Sequence, residues 1–583
     1  MSSIAPNTLV RFRGMVQHTF DPEYYQSVVC EVEPASGTRT IVGCRYKDAH
    51  HPAPGSVLEE VPGAMAERFP VLCVPLPGMS PWAADTAGVA HEPTEGSPGG
   101  SPLPRLAPPS PSAWGGAVSP AVPPAVPAAA SPAAGVRPAD SPADPGSAKR
   151  QLRHDLGGAS DGPAITSDAA MLDECHPLVV ASDTPVLVHM YNDTGGVKVT
   201  DAVEVFGIYT VDPVAAPFRP TGPEAHVLGA DPFTFSPPPP PSSALPRIQC
   251  LAYRQLPRGY PVVNARGPLV FPGFTPSPPA PLPIVTPEAA TGAMAVLGDL
   301  RAMHARIARF LTAALGGDGV AGEFLLLHLL AGVHTRHPER PLGKVTLNIT
   351  GLPDVAAAKQ VYNAVRQLLP RSSLVPLSLN NLQSLKFAPR ASRSGDHLVA
   401  GVLQVPTGTY TIVDETVMSE GSIQGEAVPN LQALRDVSTD AKLKYDFHYA
   451  VEFPADVPLL LLSPSKSLTP SDVLLPLAAT SADCSVRVEA EELNAARGFL
   501  GYARELPFSL SEAMVARVQA DLTALRGRGV PPDYLYTIMD LARLAAHSFG
   551  ETTLTEERWA WLMALDEQRR ARLVPAVPPA AGS

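Results

Sequence analysis

"GTYTIVDETVM", Gly408 to Met418, is the stretch whose reading decides the fold. Tyr410, Thr411, Ile412 and Val413 form a short β-prone run that ends directly in Asp414-Glu415. A short apolar run without polar alternation suits a strand covered on both faces, as in parallel sheets. A buried strand ending in two carboxylates is how P-loop ATPases hold Mg²⁺ and orient the attacking water. That reading demands a phosphate loop upstream, made of a strand, a glycine-rich turn and a helix opening on Gly-Lys-Ser/Thr.

The matching place is "VTLNITG" followed by the helical "DVAAAKQVYNAV". From Gly351 the chain reads G-L-P-D-V-A-A-A, so Ala356, Ala357 and Ala358 stand where the second glycine, the lysine and the hydroxyl belong. Alanine is a good helix former, so the helix survives while its phosphate chemistry is lost. Lys359 is close in sequence but has no glycine-rich cradle. The expectation is a degenerate phosphate loop with a vestigial acidic pair, Asp414 and Glu415, and no catalytic residue, no cofactor and no metal.

Working outward, proline-rich stretches divide the chain; it carries 68 prolines in 583 residues, against a usual share near ~5%. Residues 1–82 read as a β-rich domain ("TLVRFRGMVQ", "RTIVGCRYK", "FPVLCVPLPG"). Residues 83–165 are a Pro/Ala/Ser linker too poor in apolar residues to offset ordering entropy, and are expected to be disordered. Residues 166–267 read as a second β-rich, OB-like domain interrupted by "SPPPPPSS" (Ser236–Ser243), a rigid spacer or a polyproline ligand. A proline-rich connector, 268–285, leads to an α/β core over 286–485. In that core "AMAVLGDLRAMHARIARFLTAAL" and "AGEFLLLHLLAGVHTR" are helical, "HLVAGVLQV" is helix-like, and "AKLKYDFHYAVEF" alternates as a strand. Strands alternating with helices imply a largely parallel sheet. Residues 486–575 read as a helical lid, its last helix opening at Thr553 and Glu556 with capping-box spacing, and 576–583 as a disordered tail. The fold class is therefore multidomain: N-terminal β-rich (OB-like) modules, a degenerate AAA+ (P-loop-like) α/β core and a C-terminal helical lid.

Several function classes are disfavoured. A net charge of −12 does not advertise nucleic-acid binding. The six cysteines include no CxxC pair, which argues against a zinc ribbon or disulfide scaffold and fits a reducing compartment. Cys175-His176 and His50-His51 lack a second ligand pair at metal-site spacing. The N-terminus lacks the basic and apolar regions of a signal peptide, and the run around "VPLLLLSP" is far short of the ~20 residues of a membrane span, so a soluble, intracellular protein with no membrane partner is expected. The basic cluster "AKRQLRH" (Ala148–His154) has the composition of a nuclear-import signal or of an ordinary linker.

"LVAGVLQVPTGTYTIVDETVM" (Leu398–Met418) resembles the acidic strand of the minichromosome maintenance (MCM) helicase ATPases, "AKLKYDFHYAVEF" their following hairpin, and "LARLAAHSFGETTLTEERW" (Leu541–Trp559) their helical lid. The closer resemblance is to the MCM complex-binding protein family. It is carried by "VRFRGMVQHTFDPEYYQ" (Val10–Gln26), "FGIYTVDPV" (Phe206–Val214), "PLGKVTLNITGLP" (Pro341–Pro353), "NNLQSLKFAPR" (Asn380–Arg390) and "YDFHYAVEFP" (Tyr445–Pro454). Members of that family usually carry a further segment before the first block, whereas this chain opens almost directly on "TLVRFRG", which suggests a truncated or alternative start. The resemblance implies a nuclear, non-enzymatic protein that binds MCM helicase subunits as a hetero-oligomer, meets chromatin only indirectly, promotes assembly and chromatin removal of the helicase, and supports sister-chromatid cohesion. It also places Ser463 where the helicases carry a polar first-sensor residue and Tyr536 where a second-sensor arginine would sit; Arg390 reads as surface structure or as a residue reaching a neighbouring subunit. The rival readings are an ATPase working through Lys344 or Lys359, acyl transfer by Ser463-x-x-Lys466 (without the S-D-N and K-T-G partners that class needs), and DNA binding through Lys442 and Lys444.

Overall fold

In the computed structural model the described residues are 4–47, 50–86, 177–178, 185–191, 196–210, 245–256, 258, 269–271, 298–338, 340–391, 398–447, 449–478 and 488–573. Most of the 83–165 and 268–285 segments, "AKRQLRH", the proline run, Cys175, Cys484 and the 576–583 tail lie outside them.

The N-terminal strands are β1 (Thr8–Thr19), β2 (Glu23–Gln26), β3 (Val28–Glu33), β4 (Thr38–Gly43), β5 (Val57–Glu60) and β6 (Met65–Pro75). After helix α1 (Pro81–Thr86) come β7 (Val186–Tyr191), β8 (Ala202–Thr210) and β9 (Arg247–Gln255). Strands from both sides of the proline-rich segment pair in the order β1-β8-β9-β7-β6, and β6 pairs back with β1. The two segments expected as separate β-rich domains thus close one barrel. Each alone would leave unpaired strand edges, and closure removes them. Only β7 and β9 run parallel; the other barrel pairs are antiparallel. Phe12, Val16, Val71, Val188, Val205 and Ile248 fill the interior. Across β1, β8 and β9 runs a buried charged row, with Arg13 Nε and Arg254 Nε each 2.6 Å from a different oxygen of Glu204. β3, β4 and β5 form a separate, largely exposed sheet.

The second unit opens with α2 (Leu300–Ala314) and α3 (Gly319–Leu330), bent by 116° at Gly316-Gly317. The glycines make this turn at φ +69° and +88°, and Asp318 then caps α3. Following a short hairpin, β10 (Thr335–Arg336) and β11 (Pro341–Leu342), come β12 (Leu347–Thr350), α4 (Val355–Leu368), β13 (Ser372–Pro376) and α5 (Leu379–Ser384). Then follow β14 (Arg390–Ala391), β15 (Leu398–Val399), β16 (Tyr410–Asp414), α6 (Ala427–Asp440), β17 (Lys442–Asp446), β18 (Ala450–Pro454), β19 (Leu459–Ser463) and β20 (Val473–Pro476). Five of these strands make an all-parallel sheet, β13-β16-β19-β12-β20. "YTIVD" is the expected strand, buried at every residue. Tyr410, Ile412, Leu460 and Leu462 enter one core with α2, α3 and α4, while Val413, Leu459 and Leu461 enter the other with α5 and α6. Two covered faces explain why these strands are apolar without alternation.

Two expectations are corrected. "HLVAGVLQV" is not a helix: β15 pairs with β14 and the chain then turns, since Gly401 passes so close to Phe387 that a Cβ would lie 2.5 Å from its carbonyl oxygen. "AKLKYDFHYAVEF" forms the expected hairpin, β17 paired with β18, and its turn leaves Tyr449 70% exposed. In the lid, α7 (Ala490–Ala503), α8 (Glu512–Gly527), α9 (Pro532–Ser548) and α10 (Glu556–Ala571), the last helix is capped by Thr555, not Thr553. Thr553 instead bridges to Ser509.

The barrel is seated on the sheet by the chain leaving β6. Met79 bridges to Arg371, Ser80 Oγ donates to the Leu369 carbonyl (2.6 Å), and Trp82 Nε1 donates to the Arg366 carbonyl (2.9 Å). The Arg497 guanidinium covers the Trp82 ring at 4.1 Å.

Candidate functional site

β12, β19 and β16 lie side by side and parallel, so their C-terminal ends share one edge, the place where parallel sheets bind ligands. Register sets Thr350 beside Ser463 and Leu462 beside Asp414. Gly351, Ala356–Ala358, Ser463, Asp414 and Glu415 therefore converge, although they are spread over more than a hundred residues of chain.

The loop between β12 and α4 is only Gly351-Leu352-Pro353-Asp354. Gly351 N (2.9 Å) and Leu352 N (3.2 Å) both donate to the Ser463 carbonyl, so the first loop amides face the neighbouring strand. Leu352 is buried, and Ala358 packs into the core. Asp354, absent from the sequence-based site, caps α4, its carboxylate accepting from Ala357 N at 2.8 Å. A helix N-terminus attracts anions through its free N–H groups and dipole. Here the chain's own carboxylate holds that position, and a phosphate brought to α4 would meet its negative charge. An aspartate directly before an alanine-rich helix is a cap signal legible in sequence. The residues present do not fit a nucleotide phosphate.

The acidic pair is equally self-contained. Thr416 donates to Asp414 Oδ1 from both N (2.9 Å) and Oγ1 (2.5 Å), and Ser467 Oγ donates to Glu415 Oε1 (2.7 Å). Burial pushes both carboxyls above their ordinary values, with those hydrogen bonds and, for Asp414, the positive charge of Lys359 opposing it. Ser463 Oγ lies 3.0 Å from Asn348 Oδ1 and 2.8 Å from the Ser465 carbonyl, two acceptors within the chain for its one proton. Among the described residues no group of three or more His, Cys, Asp or Glu side chains is placed to hold a metal ion, and no single helix is long and apolar enough to cross a membrane.

The remaining candidates named here have partners of their own. Tyr536, 56% exposed, stacks under Arg340 near the start of β12. The lid instead delivers Arg572, which sequence reasoning missed: it bonds the Pro476 carbonyl (3.1 Å), beside Thr350 in the sheet, and is locked on Asp318 through both Nη atoms (2.5 and 2.9 Å). Arg390 pairs with Glu426, and Lys344 with Asp472 (2.9 Å). Lys442 lies 2.9 Å from Glu452, and Lys444 lies 3.2 Å from Asp436.

The family described as mini-chromosome maintenance replisome factor matches residues 1–102 and 139–573. The chain is 30% identical over 588 residues to the mini-chromosome maintenance complex-binding protein of Salmo salar, covering 98% of this chain and 89% of the relative. The proteins of the same name from Homo sapiens and Arabidopsis thaliana are 28% and 27% identical, each over 98% of this chain and over 89% and 88% of their own lengths. A match along both the barrel and the α/β unit is what the shared phrases lead one to expect, and the chain belongs to the mini-chromosome maintenance replisome factor family.

Proposed function

We propose that this protein is a non-enzymatic adaptor or chaperone that binds MCM helicase subunits, promotes assembly and chromatin unloading of their complex during DNA replication, and supports sister-chromatid cohesion. The observation that carries the reading is the family match over nearly the whole chain, with relatives named for binding the mini-chromosome maintenance complex. The α/β unit is read as a degenerate AAA+ core: its parallel sheet sets the loop strand β12 one strand away from the acidic strand β16, with a helical lid beyond. The five-stranded barrel is read as OB-like. A pseudo-ATPase role is supported by the Asp354 cap and the three alanines of the loop. Pairing of Lys442 and Lys444 with carboxylates of the same chain favours contact with chromatin through the MCM subunits rather than directly. Such work places the protein in the nucleus.

The test is twofold. Purified protein should co-elute with MCM subunits in size-exclusion chromatography, and titration with Mg-ATP should give no binding heat. Failure to co-elute sinks the adaptor reading. Micromolar ATP binding that disappears in Asp414→Ala sinks the pseudo-ATPase reading.

A further inference from the structure

We propose that the junction of barrel, sheet base and helical lid is a binding site for a small oxyanion of the phosphate class. Four arginines reach it from four parts of the fold: Arg258 just past β9, Arg371 just before β13, Arg504 at the end of α7, and Arg543 on α9. The junction lies where the parallel strands begin, opposite the edge occupied by Asp354 and Asp414. Thr407-Gly408 leads into β16, and Asp456 lies just ahead of β19.

The arginines interlock. Arg258 donates from Nη2 to the Ala331 carbonyl (2.6 Å) and from Nη1 to Asp456 Oδ2 (3.2 Å). Arg371 Nη2 donates to the carbonyls of Arg258 (3.1 Å) and Thr407 (3.2 Å). Arg504 Nε donates to the Leu329 carbonyl (2.8 Å). Two of the four thus hold carbonyls at the C-terminal end of α3. Gly332 N bonds the Gly343 carbonyl (3.1 Å); a Cβ on Gly332 would lie 1.8 Å from Arg258 Nη1, and one on Gly343 would lie 3.0 Å from Arg543 Nη1. The two guanidinium groups therefore flank the same pair of glycines.

Donors exceed acceptors at this point. Arg258 Nε, Arg371 Nε and Arg543 Nη1 are buried with no acceptor among the described residues, and Arg371 as a whole is 4% exposed. Three carboxylates stand near the four arginines: Asp456, which also accepts from Val333 N (3.1 Å), Asp540, which accepts from Gly343 N (2.9 Å) and Arg340 (3.1 Å), and Glu505, whose charge acts on Arg504 and Arg543. Burial, with repulsion from Arg258 added, lowers Arg371 to about 10 and, against the opposing charge of Glu505, Arg504 to about 9. Buried N–H groups without partners are the exception in folded proteins, and convergent guanidinium groups complement the tetrahedral oxygens of phosphate by paired hydrogen bonds. A carboxylate offers only two oxygens in one plane, which favours the phosphate class. His334, which is exposed, lies with Arg543 against Gly343, so the junction adjoins the surface on this side.

Inorganic phosphate and O-phosphoserine are the probes, titrated into the full chain by calorimetry and thermal unfolding against chloride at matched ionic strength. Saturable binding of either supports the site, and the tighter probe distinguishes a free ion from a phosphate ester. Arg543→Gln should weaken phosphate binding at least tenfold, whereas the exposed Arg517→Gln should leave it unchanged. Independently of any variant, phosphate should protect Arg258 and Arg543 from phenylglyoxal modification, read by peptide mapping. The proposal fails if neither probe does more than matched chloride, if the ion bound is adventitious and Arg543→Gln binds it as tightly as the wild type, or if the two arginines are modified equally with and without phosphate.

Discussion

At the scale of single residues, the opening glycine of the decisive stretch does more than turn the chain. Gly408 has φ +78°, and a Cβ there would lie 2.3 Å from Arg258 Cγ. Gly408→Ala should therefore cost about 1–3 kcal/mol in urea unfolding, from left-handed strain with displacement of Arg258 added. Asp354→Ala should cost about 1 kcal/mol as a lost helix cap. It should confer no ATP binding, because the alanines remain. His328 is fully buried, with Nε2 2.9 Å from the Val345 carbonyl and Nδ1 against the Tyr410 hydroxyl. These partners suit a neutral ring that donates from Nε2 and accepts at Nδ1. Burial lowers it from 6.5 to about 4. A histidine depressed in the folded state contributes stability above its unfolded value, and that contribution is lost as pH falls from 6.5 towards 4. Over that window the loss amounts to about 3 kcal/mol. Urea titrations at pH 7 and pH 4.5 should show the difference, and His328→Gln should flatten it. Asp414 has the opposite sign: burial raises its carboxyl, so its contribution is present below the ordinary carboxylate value and lost as pH rises through the folded one. Asp414→Asn, which keeps an acceptor for Thr416, should melt no lower than the wild type at pH 7.5; a marked loss would show that the charge has a partner.

At the scale of elements, the barrel depends on a charge that hydropathy conceals. Glu204 is completely buried and, although burial alone would raise it, its bonds to Arg13 and Arg254 hold its carboxyl below the usual range. Removing one member of a buried ionic group leaves the others uncompensated, so Glu204→Ala should cost about 3–5 kcal/mol in chemical unfolding. The hairpin lysines form the contrast. Their pairs with Glu452 and Asp436 are about half exposed on the lysine side, and Lys442→Ala with Lys444→Ala should change stability by less than about 1 kcal/mol. If the same double variant lowered duplex or single-strand DNA affinity in salt-dependent gel shifts, the adaptor reading would have to include direct DNA contact.

At the scale of the whole molecule, barrel and α/β unit are joined by more than the chain between them. Ser80, Trp82, Gln404 and Arg258 all make hydrogen bonds across the seam, Gln404 Nε2 reaching the Gln17 carbonyl at 3.0 Å. Trp82→Ala removes a large ring, its hydrogen bond and its cation–π contact with Arg497 together. Hydrogen exchange should then speed up on both sides of the seam, around residues 78–84 and 366–372, while the barrel interior stays protected. Exchange confined to one side would show that the two units do not depend on each other at this point.

The local order of elements was legible in sequence because it is written in short-range chemistry. "YTIVD" has the composition of a strand buried on both faces, and G-L-P-D-V-A-A-A lacks the side chains that hold phosphate. What the sequence could not settle is what depends on pairing between distant segments. Closure of one barrel from residues on both sides of a proline-rich stretch is decided by which strand edges find each other, and no local pattern records that. The same holds for "HLVAGVLQV", where the close passage of Gly401 against Phe387 overrides a helical-looking run. It holds too for Arg572, whose bond to Asp318 spans 254 positions. The four arginines at the junction are separately unremarkable in sequence. Only the packing of barrel, sheet and lid brings them together, because their charges are gathered by burial of the apolar faces around them.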